Sequence, residues 1–435
     1  MAKTITIEEA LKLIKDNDKI AVGDGTVEPQ GFLSNLHTIL DRPRGLSIWM
    51  CLTLRSYPFL EHREYGNNIK INSLFFSKPM RDAYNLLDTV SHCPTHLRKT
   101  AITICAQGDP DVFVGTCTPP NKDGKISLGL SDIYDREVME KAKLVIMEVN
   151  PNMPFTYGDA VIDEKDVDYF VPVDFPMVQD KPAPVNEKDK IIGGYIAQYI
   201  NDGDNLQIGI GSIPNSVVAF MEGKKDLGVH TELLSDGVAE LAMKGIVNGS
   251  RKTLHKGKIV TSIVMGTDKV YNFVNNNPDV LVMNCSYCNS YDALSKNDNQ
   301  VSINTTLEVD LLGQCCSESL GSKQFSGTGG QADTAIGAQM AKGGKCFIAL
   351  YSTANVKTGN GDERKEISRI VPTLKPGATV SLQRNDVQYL VTEYGVVNLR
   401  GLSISDRAKA IISIAHPSYR EELTEAAKKL GYIKG

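Results

Sequence analysis

The sequence has little that would mark a membrane, secreted or nucleic-acid-binding protein. It holds one tryptophan among 435 residues, and no apolar run reaches the roughly 18 residues that a membrane-spanning helix needs. The first residues contain no apolar segment of the kind found in signal peptides. The chain has 47 lysine and arginine residues and 52 acidic residues, so its net charge is −5. It therefore has no large positive electrostatic field that would attract nucleic acid. We therefore expect a cytoplasmic protein that binds neither membranes nor nucleic acid.

Cysteine and histidine are present, but not in metal-binding patterns. Nine cysteines are an odd number, so we expect free thiols and not a disulfide framework. Cys285, Cys288, Cys315 and Cys316 could supply four zinc ligands, but the second pair is adjacent and lacks the usual Cys-x₂₋₄-Cys spacing. Neither a Walker loop nor a Gly-x-Ser-x-Gly elbow occurs. We expect no metal and no tightly bound cofactor.

The chain is long for a single domain. Its residues, 41% apolar and 23% charged, supply enough apolar side chains for two domains of about 200 residues each. Prolines at positions 172, 176, 182 and 184 lie among charged residues in one stretch, which is typical of an exposed linker. We therefore predict a first domain of residues 1–185 and a second of residues 186–435.

One local pattern occurs twice. A helical stretch leads to a short strand that ends in a Gly-x-Gly turn, and the two copies align without gaps, so that Gly23 coincides with Gly209 and Gly25 with Gly211. Such an internal repeat predicts two related open α/β domains, although helix–turn–strand–glycine also recurs by chance in α/β proteins. Further apolar runs, typical of buried parallel strands, are residues 144–147, 258–260, 346–350 and 389–391.

The second Gly-x-Gly turn has the composition of an anion-binding or oxyanion-binding turn. Its residues are Gly209, Ile210, Gly211, Ser212 and Ile213. Glycine permits close backbone approach, and amides at a helix start can face an anion or a developing oxyanion. The third glycine of the dinucleotide fingerprint is missing, because Pro214 occupies that position. A simple strand–helix turn is the alternative.

Two further features could carry chemistry. Residues 326–331 contain three glycines in four positions, including Gly329 and Gly330, which suits an amide-lined oxyanion hole; a flexible surface loop is the alternative. Glu232 follows one βα unit after the second turn. It is therefore expected at the carboxyl edge of the next parallel strand, where it could be a nucleophile or a general base. From pattern alone, a solvated surface glutamate is the alternative.

Together these segments resemble the acetyl-CoA hydrolase/transferase family, most closely its branch of 4-hydroxybutyrate and butyrate-type CoA-transferases. The resemblance covers almost the whole chain and is densest from Gly203 onwards. The matching segments are residues 207–214, 229–238, 302–304, 324–333, 391–396 and 415–417. Each segment is short, but their occurrence in this order along the chain is specific to the family.

The resemblance implies a fold, an activity and a set of site residues. It implies two α/β domains facing each other across an active-site cleft, assembled as a homodimer, and ping-pong transfer of CoA between an acyl-CoA and a short-chain carboxylate. Glu232 matches the glutamate that becomes a glutamyl-CoA thioester, so CoA is both substrate and part of the covalent intermediate. The amides of Ile213 and Gly330 match two oxyanion donors. The other positions matched to the CoA site are Gly209, Ile210, Gly211, Ser212, Asn289, Gly329 and Lys357.

The sequence departs from the family pattern mainly between residues 50 and 110. Segments 51–58 and 74–79 lie there, in the domain expected to line the acid pocket, so acetate, butyrate, 4-hydroxybutyrate and succinate-like acids all stay open. A polar insert between residues 353 and 369, including 359–362, is expected to be a flexible loop. Acyl-CoA hydrolysis at the same site is the alternative activity. A dinucleotide-dependent oxidoreductase is disfavoured by the missing glycine, and a decayed site by the presence of Glu232.

Overall fold

The computed structural model describes residues 2–357 and 363–434, which form two large sheets of eight and nine strands. The strands of the N-terminal half are β1 (Lys3–Thr4), β2 (Lys19–Val22), β3 (Ser47–Leu52), β4 (Lys70–Phe75), β5 (Val90–His92), β6 (Val112–Cys117), β7 (Lys125–Ser127), β8 (Leu144–Val149), β9 (Tyr157–Gly158), β10 (Val161–Asp163) and β11 (Tyr169–Pro172).

The strands of the C-terminal half also alternate with helices along the chain. They are β12 (Asn205–Ile208), β13 (Gly228–His230), β14 (Leu233–Leu234), β15 (Ile259–Thr261), β16 (Ile263–Val264), β17 (Val280–Val282), β18 (Gln300–Thr305), β19 (Glu308–Asp310), β20 (Cys315–Cys316), β21 (Ser319–Leu320), β22 (Lys323–Gln324), β23 (Lys345–Ala349), β24 (Thr353–Lys357), β25 (Arg364–Ser368), β26 (Ile370–Val371), β27 (Tyr389–Thr392) and β28 (Gly395–Asn398).

The helices connect these strands and cover the faces of the sheets. They are α1 (Ile7–Lys12), α2 (Gln30–Asn35), α3 (Pro58–Glu61), α4 (Arg63–Gly66), α5 (Lys78–Leu86), α6 (Thr100–Cys105), α7 (Asp135–Met139), α8 (Glu187–Ala197), α9 (Ser212–Ala219), α10 (Asp236–Met243), α11 (Asp268–Val274), α12 (Cys285–Cys288), α13 (Tyr291–Ser295), α14 (Gln331–Met340), α15 (Ile404–Ser413) and α16 (Arg420–Lys429). Within the described residues no helix is long and apolar enough to cross a membrane.

Both sheets are wound in the same order, which supports the predicted repeat. In the first sheet β2 is central, β3, β4 and β5 follow on one side, and β6, β8 and β11 follow on the other. In the second sheet β12 takes the central place, with β13, β15 and β17 on one side and β18, β23 and β27 on the other. All these neighbours pair in parallel. The predicted α/β class with parallel sheets is confirmed.

The two halves share a core. One cluster of buried apolar side chains joins Phe113 and Met147 of the first sheet to Val229 and Phe347 of the second. Strand β9 belongs to the N-terminal half in sequence but forms the edge of the second sheet, beside β17. The boundary between residues 185 and 186 stays a prediction.

The proline-rich stretch differs in one respect from the exposed linker that was predicted. Val178 to Asp180 are bound to the C-terminal half: the Val178 carbonyl accepts from the Tyr271 hydroxyl at 2.6 Å, and the Asp180 amide donates to the Gly266 carbonyl at 2.8 Å. These hydrogen bonds fix the backbone of the segment on the C-terminal half. The segment thereby forms part of the wall of the cleft.

The polar insert is not a loop over its described length. Strands β24 and β25 pair in antiparallel fashion from Thr353 with Ser368 to Lys357 with Arg364. The predicted flexible segment, residues 359–362, lies outside the described residues.

Candidate functional site

Glu232 stands where the second sheet faces the first. Strand β13 ends at His230, so Glu232 follows the carboxyl end of a parallel strand, as predicted. Its carbonyl accepts from the amides of Ser262 at 3.0 Å and Ile263 at 2.9 Å. Because the backbone is fixed by the neighbouring strand, the side chain projects into the cleft from a rigid base.

Asn289 orients the Glu232 carboxylate. Its amide nitrogen donates to Glu232 Oε2 at 2.8 Å, and its side chain is fully buried. The residue directly follows α12, whose last carbonyl, that of Cys288, is bonded to His230 Nε2 at 2.8 Å. The strand that precedes Glu232 and the helix that precedes Asn289 are therefore joined by a buried hydrogen bond.

The Gly330 amide faces the same carboxylate. It stabilises the charged form and so lowers the pKa of Glu232, and it directly precedes α14, where the helix dipole favours negative charge. A Cβ at this position would overlap Glu232 Oε2 and the Asn289 amide. The backbone φ of Gly330, −98°, is accessible to any residue. Glycine is required instead because Glu232 and Asn289 leave no room for a Cβ.

The glycine-rich segment 326–331 is held by the N-terminal half, contrary to the flexible-loop alternative. The Leu97 amide donates to the Gly329 carbonyl at 3.0 Å, and the Arg81 guanidinium donates to the Phe325 carbonyl at 2.5 Å. The Phe75 ring lies against Gly327. Residues from both halves thus fix the position of the Gly330 amide.

A buried ion pair joins the two halves beside this segment. Arg98 Nε donates to Asp333 Oδ1 at 2.9 Å, and the Arg98 amide donates to Oδ2 at 3.2 Å. The Asp333 side chain is fully enclosed, and the Arg98 guanidinium lies 4.3 Å from the centre of the Tyr291 ring. Asp333 belongs to the first turn of α14, so this pair also holds the helix that begins after Gly330.

Two carboxyl groups near the cleft have strongly raised pKa values. Burial raises the pKa of Glu232 to about 7, against the opposing effect of the Asn289 hydrogen bond. Burial likewise raises the pKa of Asp24 to about 7, and the charge of Glu232 adds to that shift. Asp24 Oδ1 accepts from the Leu52 amide, while Oδ2 has no partner in the described structure.

Glu232 opens onto a cavity of about 450 Å³ between the two halves. The N-terminal half contributes Cys51, Leu52, Leu54, Phe75, Leu97 and Ile133, and the C-terminal half contributes Gln207, Gly209, Ile210, Leu233, Ile263, Met265, Asn304 and Gly329. Val178, Gln179 and Asp180 close one side. A carboxylate that faces two N–H donors in an apolar cavity is suited to nucleophilic attack on an acyl group.

The predicted residues are distributed over three adjoining spaces. Gly209 and Ile210 line the cavity of Glu232, whereas Gly211, with φ +117°, precedes α9 and lies at a larger cavity of about 710 Å³. Ser212 and Ile213 line a third cavity of about 230 Å³. The Ser212 hydroxyl donates to Asp189 at 3.0 Å. Lys357 lies at the end of β24, exposed.

The comparisons with known proteins agree with this architecture. The family model described as "Acetyl-CoA hydrolase/transferase N-terminal domain" matches residues 1–180, and the model described as "Acetyl-CoA hydrolase/transferase C-terminal domain" matches residues 266–427. The chain belongs to the acetyl-CoA hydrolase/transferase family. Sequence analysis had identified this family from motifs alone, and that identification is confirmed.

Similar proteins match over nearly their full length. A 4-hydroxybutyrate coenzyme A transferase of Clostridium kluyveri is 41% identical over 98% of this chain and 97% of its own. A succinyl-CoA:cyclohexane-1-carboxylate CoA transferase of Geobacter metallireducens is also 41% identical, over 98% and 95%. The crystal structure of RipA from Yersinia pestis superposes with a TM-score of 0.90 at 33% identity, covering 99% of this chain and 98% of that one.

Sequence reasoning missed several side chains of this family member's cleft. Arg98 and Asp333 are far apart in the chain; Asp333 ends the matching segment 324–333, but Arg98 stands in no recognisable motif. Asp24 occupies the middle of the first Gly-x-Gly turn, at the repeat position of Ile210, so the internal repeat could have identified it. Described residues hold no group of three or more His, Cys, Asp or Glu side chains arranged to bind a metal.

We expect adduct formation with acyl-CoA to increase with pH around neutrality. Only the ionised form of Glu232 could attack an acyl group, and with a pKa of about 7 its fraction rises from about one-tenth at pH 6 to about nine-tenths at pH 8. The measurement is the second-order rate constant of adduct formation from pH 5.5 to 8.5. Asp24→Asn is the control, because Asp24 has a similar pKa. A profile that is flat in this range, or that disappears in Asp24→Asn, contradicts the assignment to Glu232.

We expect Gly330→Ala to remove most activity without unfolding the protein. The added methyl group overlaps the Glu232 carboxylate and the Asn289 amide, so their hydrogen bond must break. Loss of one such donor typically costs about 10²–10³ in kcat. The matched control is Gly223→Ala, where a Cβ would meet no atom within 4 Å. Full activity of Gly330→Ala, measured as steady-state transfer, would show that the close approach of Gly330 to Glu232 and Asn289 is not needed for the reaction.

Proposed function

We propose that this chain transfers CoA between an acyl-CoA and a short-chain carboxylate, with Glu232 as the nucleophile. The observation that carries the proposal is the Glu232 carboxylate itself: it faces an apolar cavity, receives a hydrogen bond from Asn289, lies beside the Gly330 amide, and has a pKa of about 7. Its full-length similarity to a protein named 4-hydroxybutyrate coenzyme A transferase supports the same substrate class.

The reaction follows from what a carboxylate can do to a thioester. Glu232 attacks the acyl carbonyl, the C–S bond breaks, and CoA leaves as a thiolate from a mixed anhydride. The thiolate then attacks the glutamyl carbonyl, which forms a glutamyl-CoA thioester and releases the first acid as a carboxylate. A second acid reverses both steps and leaves as the new acyl-CoA. Every bond that breaks is replaced by one of similar energy, so no external energy source is needed.

Negative charge develops on oxygen in each step, and amide donors are available to stabilise it. Asn289 already binds Glu232 Oε2, and in our proposal it and the Gly330 amide stabilise this oxygen when the glutamyl carbonyl becomes tetrahedral. The Ile213 amide lies in the first turn of α9, where helix amides lack intrahelical acceptors. We assign it to the thioester oxygen. Each such donor contributes about 2.7–4 kcal/mol of transition-state stabilisation.

The nucleotide part of CoA requires cations outside the cavity of Glu232. Arg369 lines the third cavity beside Ser212 and Ile213, and it forms no ion pair with a described residue. The larger cavity also holds cations: Lys244 and Lys269 are paired with Glu222 and Glu240, and Lys181 lines it as well. We place the CoA phosphates near Arg369 because it lines the same cavity as Ser212 and Ile213 of the glycine turn.

Intact-protein mass spectrometry after incubation with acetyl-CoA or butyryl-CoA tests the proposal. The expected result is a mass gain of CoA minus water, mapped to the peptide that contains Glu232 and discharged by a short-chain acid. Free CoA accumulating without an adduct and without an acceptor acid would instead identify a hydrolase. If neither adduct nor free thiol appears with either acyl group, the proposal is wrong.

The homodimer that the family resemblance implies stays a prediction. Light scattering coupled to size-exclusion chromatography would give the mass of the particle directly. A particle with the mass of one chain would contradict it.

A further inference from the structure

The cavity of Glu232 discriminates among acids by charge. Resting on the proposed function, we infer that the acid accepted here carries a single carboxylate and an uncharged chain, so that butyrate-like and hydroxybutyrate-like acids are substrates and succinate-like diacids are excluded. The inference concerns the end of the cavity away from CoA, which no motif of the family identifies in this chain.

One side of the cavity adjoins the turn where we place CoA, and the other is formed by the N-terminal half. Gly209 and Ile210 lie on the side shared with the turn where we place CoA, and Ile210 also borders the larger cavity. The opposite wall is formed by the N-terminal half. An acyl group whose carbonyl carbon meets Glu232 therefore directs its chain toward that wall.

The N-terminal wall is apolar. Its side chains are those of Cys51, Leu52, Leu54, Phe75, Leu97 and Ile133. The Cys51 thiol does not offer a charge, because burial raises its pKa and the nearby Asp24 carboxyl raises it further. These groups can accommodate methylene and methyl groups, but they cannot solvate a carboxylate.

The charges near the cavity have the wrong sign for a second carboxylate. In the described part of the chain no lysine, arginine or histidine lines it, whereas Asp180 does, and Glu232 is uncharged while it carries CoA. Asp24 lies close enough to Glu232 for their charges to interact. A diacid would therefore bring its distal carboxylate into an apolar space already bordered by acidic groups. Burying an unpaired charge in such a space is strongly unfavourable.

Arg55 is the cation nearest in sequence to this wall, and it is engaged elsewhere. It lines a separate, much smaller cavity with Glu28 and Glu148, which Leu54 does not border. Its charge acts on buried Glu28 and on the Tyr57 hydroxyl. Moving Arg55 into the main cavity would leave those buried acidic groups without their nearby positive charge.

The test measures how different acids discharge the glutamyl-CoA adduct. The enzyme is loaded with butyryl-CoA, freed of excess acyl-CoA, and mixed with butyrate, 4-hydroxybutyrate, succinate or monomethyl succinate. The ester removes the distal charge of succinate while keeping its chain. We expect butyrate, 4-hydroxybutyrate and the ester to discharge the adduct. Succinate is expected to discharge it at about one-hundredth of the butyrate rate, or more slowly still. Such selectivity would separate this chain from relatives whose names include succinyl-CoA.

Two variants make the result decisive. Leu54→Arg places a cation in the wall and is expected to raise the succinate rate relative to butyrate; Leu54 is half-buried, so the substitution is compatible with folding. Arg55→Gln is expected to leave the butyrate rate unchanged. Succinate discharge as fast as that of butyrate overturns the inference, and its loss in Arg55→Gln would identify Arg55 as the cation responsible. Failure to form any adduct would instead refute the proposed function.

Discussion

Replacing Glu232 by glutamine is expected to abolish CoA transfer and the covalent adduct while the protein stays folded. Glutamine keeps the size of the side chain and can retain a hydrogen bond from Asn289, but its amide is not a nucleophile that can form an anhydride. Losing the nucleophile of a covalent mechanism lowers kcat by roughly 10⁴-fold or more. Steady-state transfer and intact mass after acyl-CoA treatment measure the two losses independently.

The informative control is Glu232→Asp, which keeps the carboxylate but withdraws it by one methylene. The Asn289 and Gly330 donors are set for the longer side chain, so we expect the aspartate variant also to be severely impaired. An adduct that persists in Glu232→Gln would contradict the assignment. Asp24 would then be the first carboxyl group to examine, since its pKa is also about 7 and its Oδ2 faces no described partner.

What the sequence predicted best were features created by residues close together in the chain. The strand–Gly-x-Gly units that start at Lys19 and Asn205 follow from apolar runs closed by glycine, and both occur as predicted. Glu232 was placed correctly at a strand end because βα units have a regular length. The order in which the strands join their sheets supports the repeat that two glycine turns had indicated.

What the sequence could not predict were contacts between the halves. Arg98 and Asp333 are 235 positions apart, and the segment that contains Asp333 gives no sign of its partner. Likewise, Val178 to Asp180 carry the composition of an exposed linker, yet hydrogen bonds to Tyr271 and Gly266 bring them to the cleft. Such contacts depend on how two folded sheets are packed, and periodicity within one segment has no information about that packing.

Breaking the Arg98–Asp333 ion pair is expected to have the largest effect on stability. Arg98→Met would leave the Asp333 carboxylate fully enclosed with only a backbone donor. Removing one partner of a buried pair typically lowers the free energy of unfolding by about 3–5 kcal/mol. Chemical denaturation measures that loss. The control is Lys78→Met, which breaks an ion pair with Asp82 in which both side chains are exposed, and which should have little effect.

The double variant Arg98→Met/Asp333→Leu separates stability from geometry. Replacing both charges by apolar side chains removes the unpaired buried carboxylate, so much of the free energy of unfolding should return. Transfer activity should not return with it, because the ion pair also holds α14 and, through the Leu97–Gly329 hydrogen bond, the segment that ends in the Gly330 amide. If activity recovers in parallel with stability, the pair only stabilises the fold. If stability recovers alone, the N-terminal half takes part in catalysis by positioning a donor on the opposite side of the cleft.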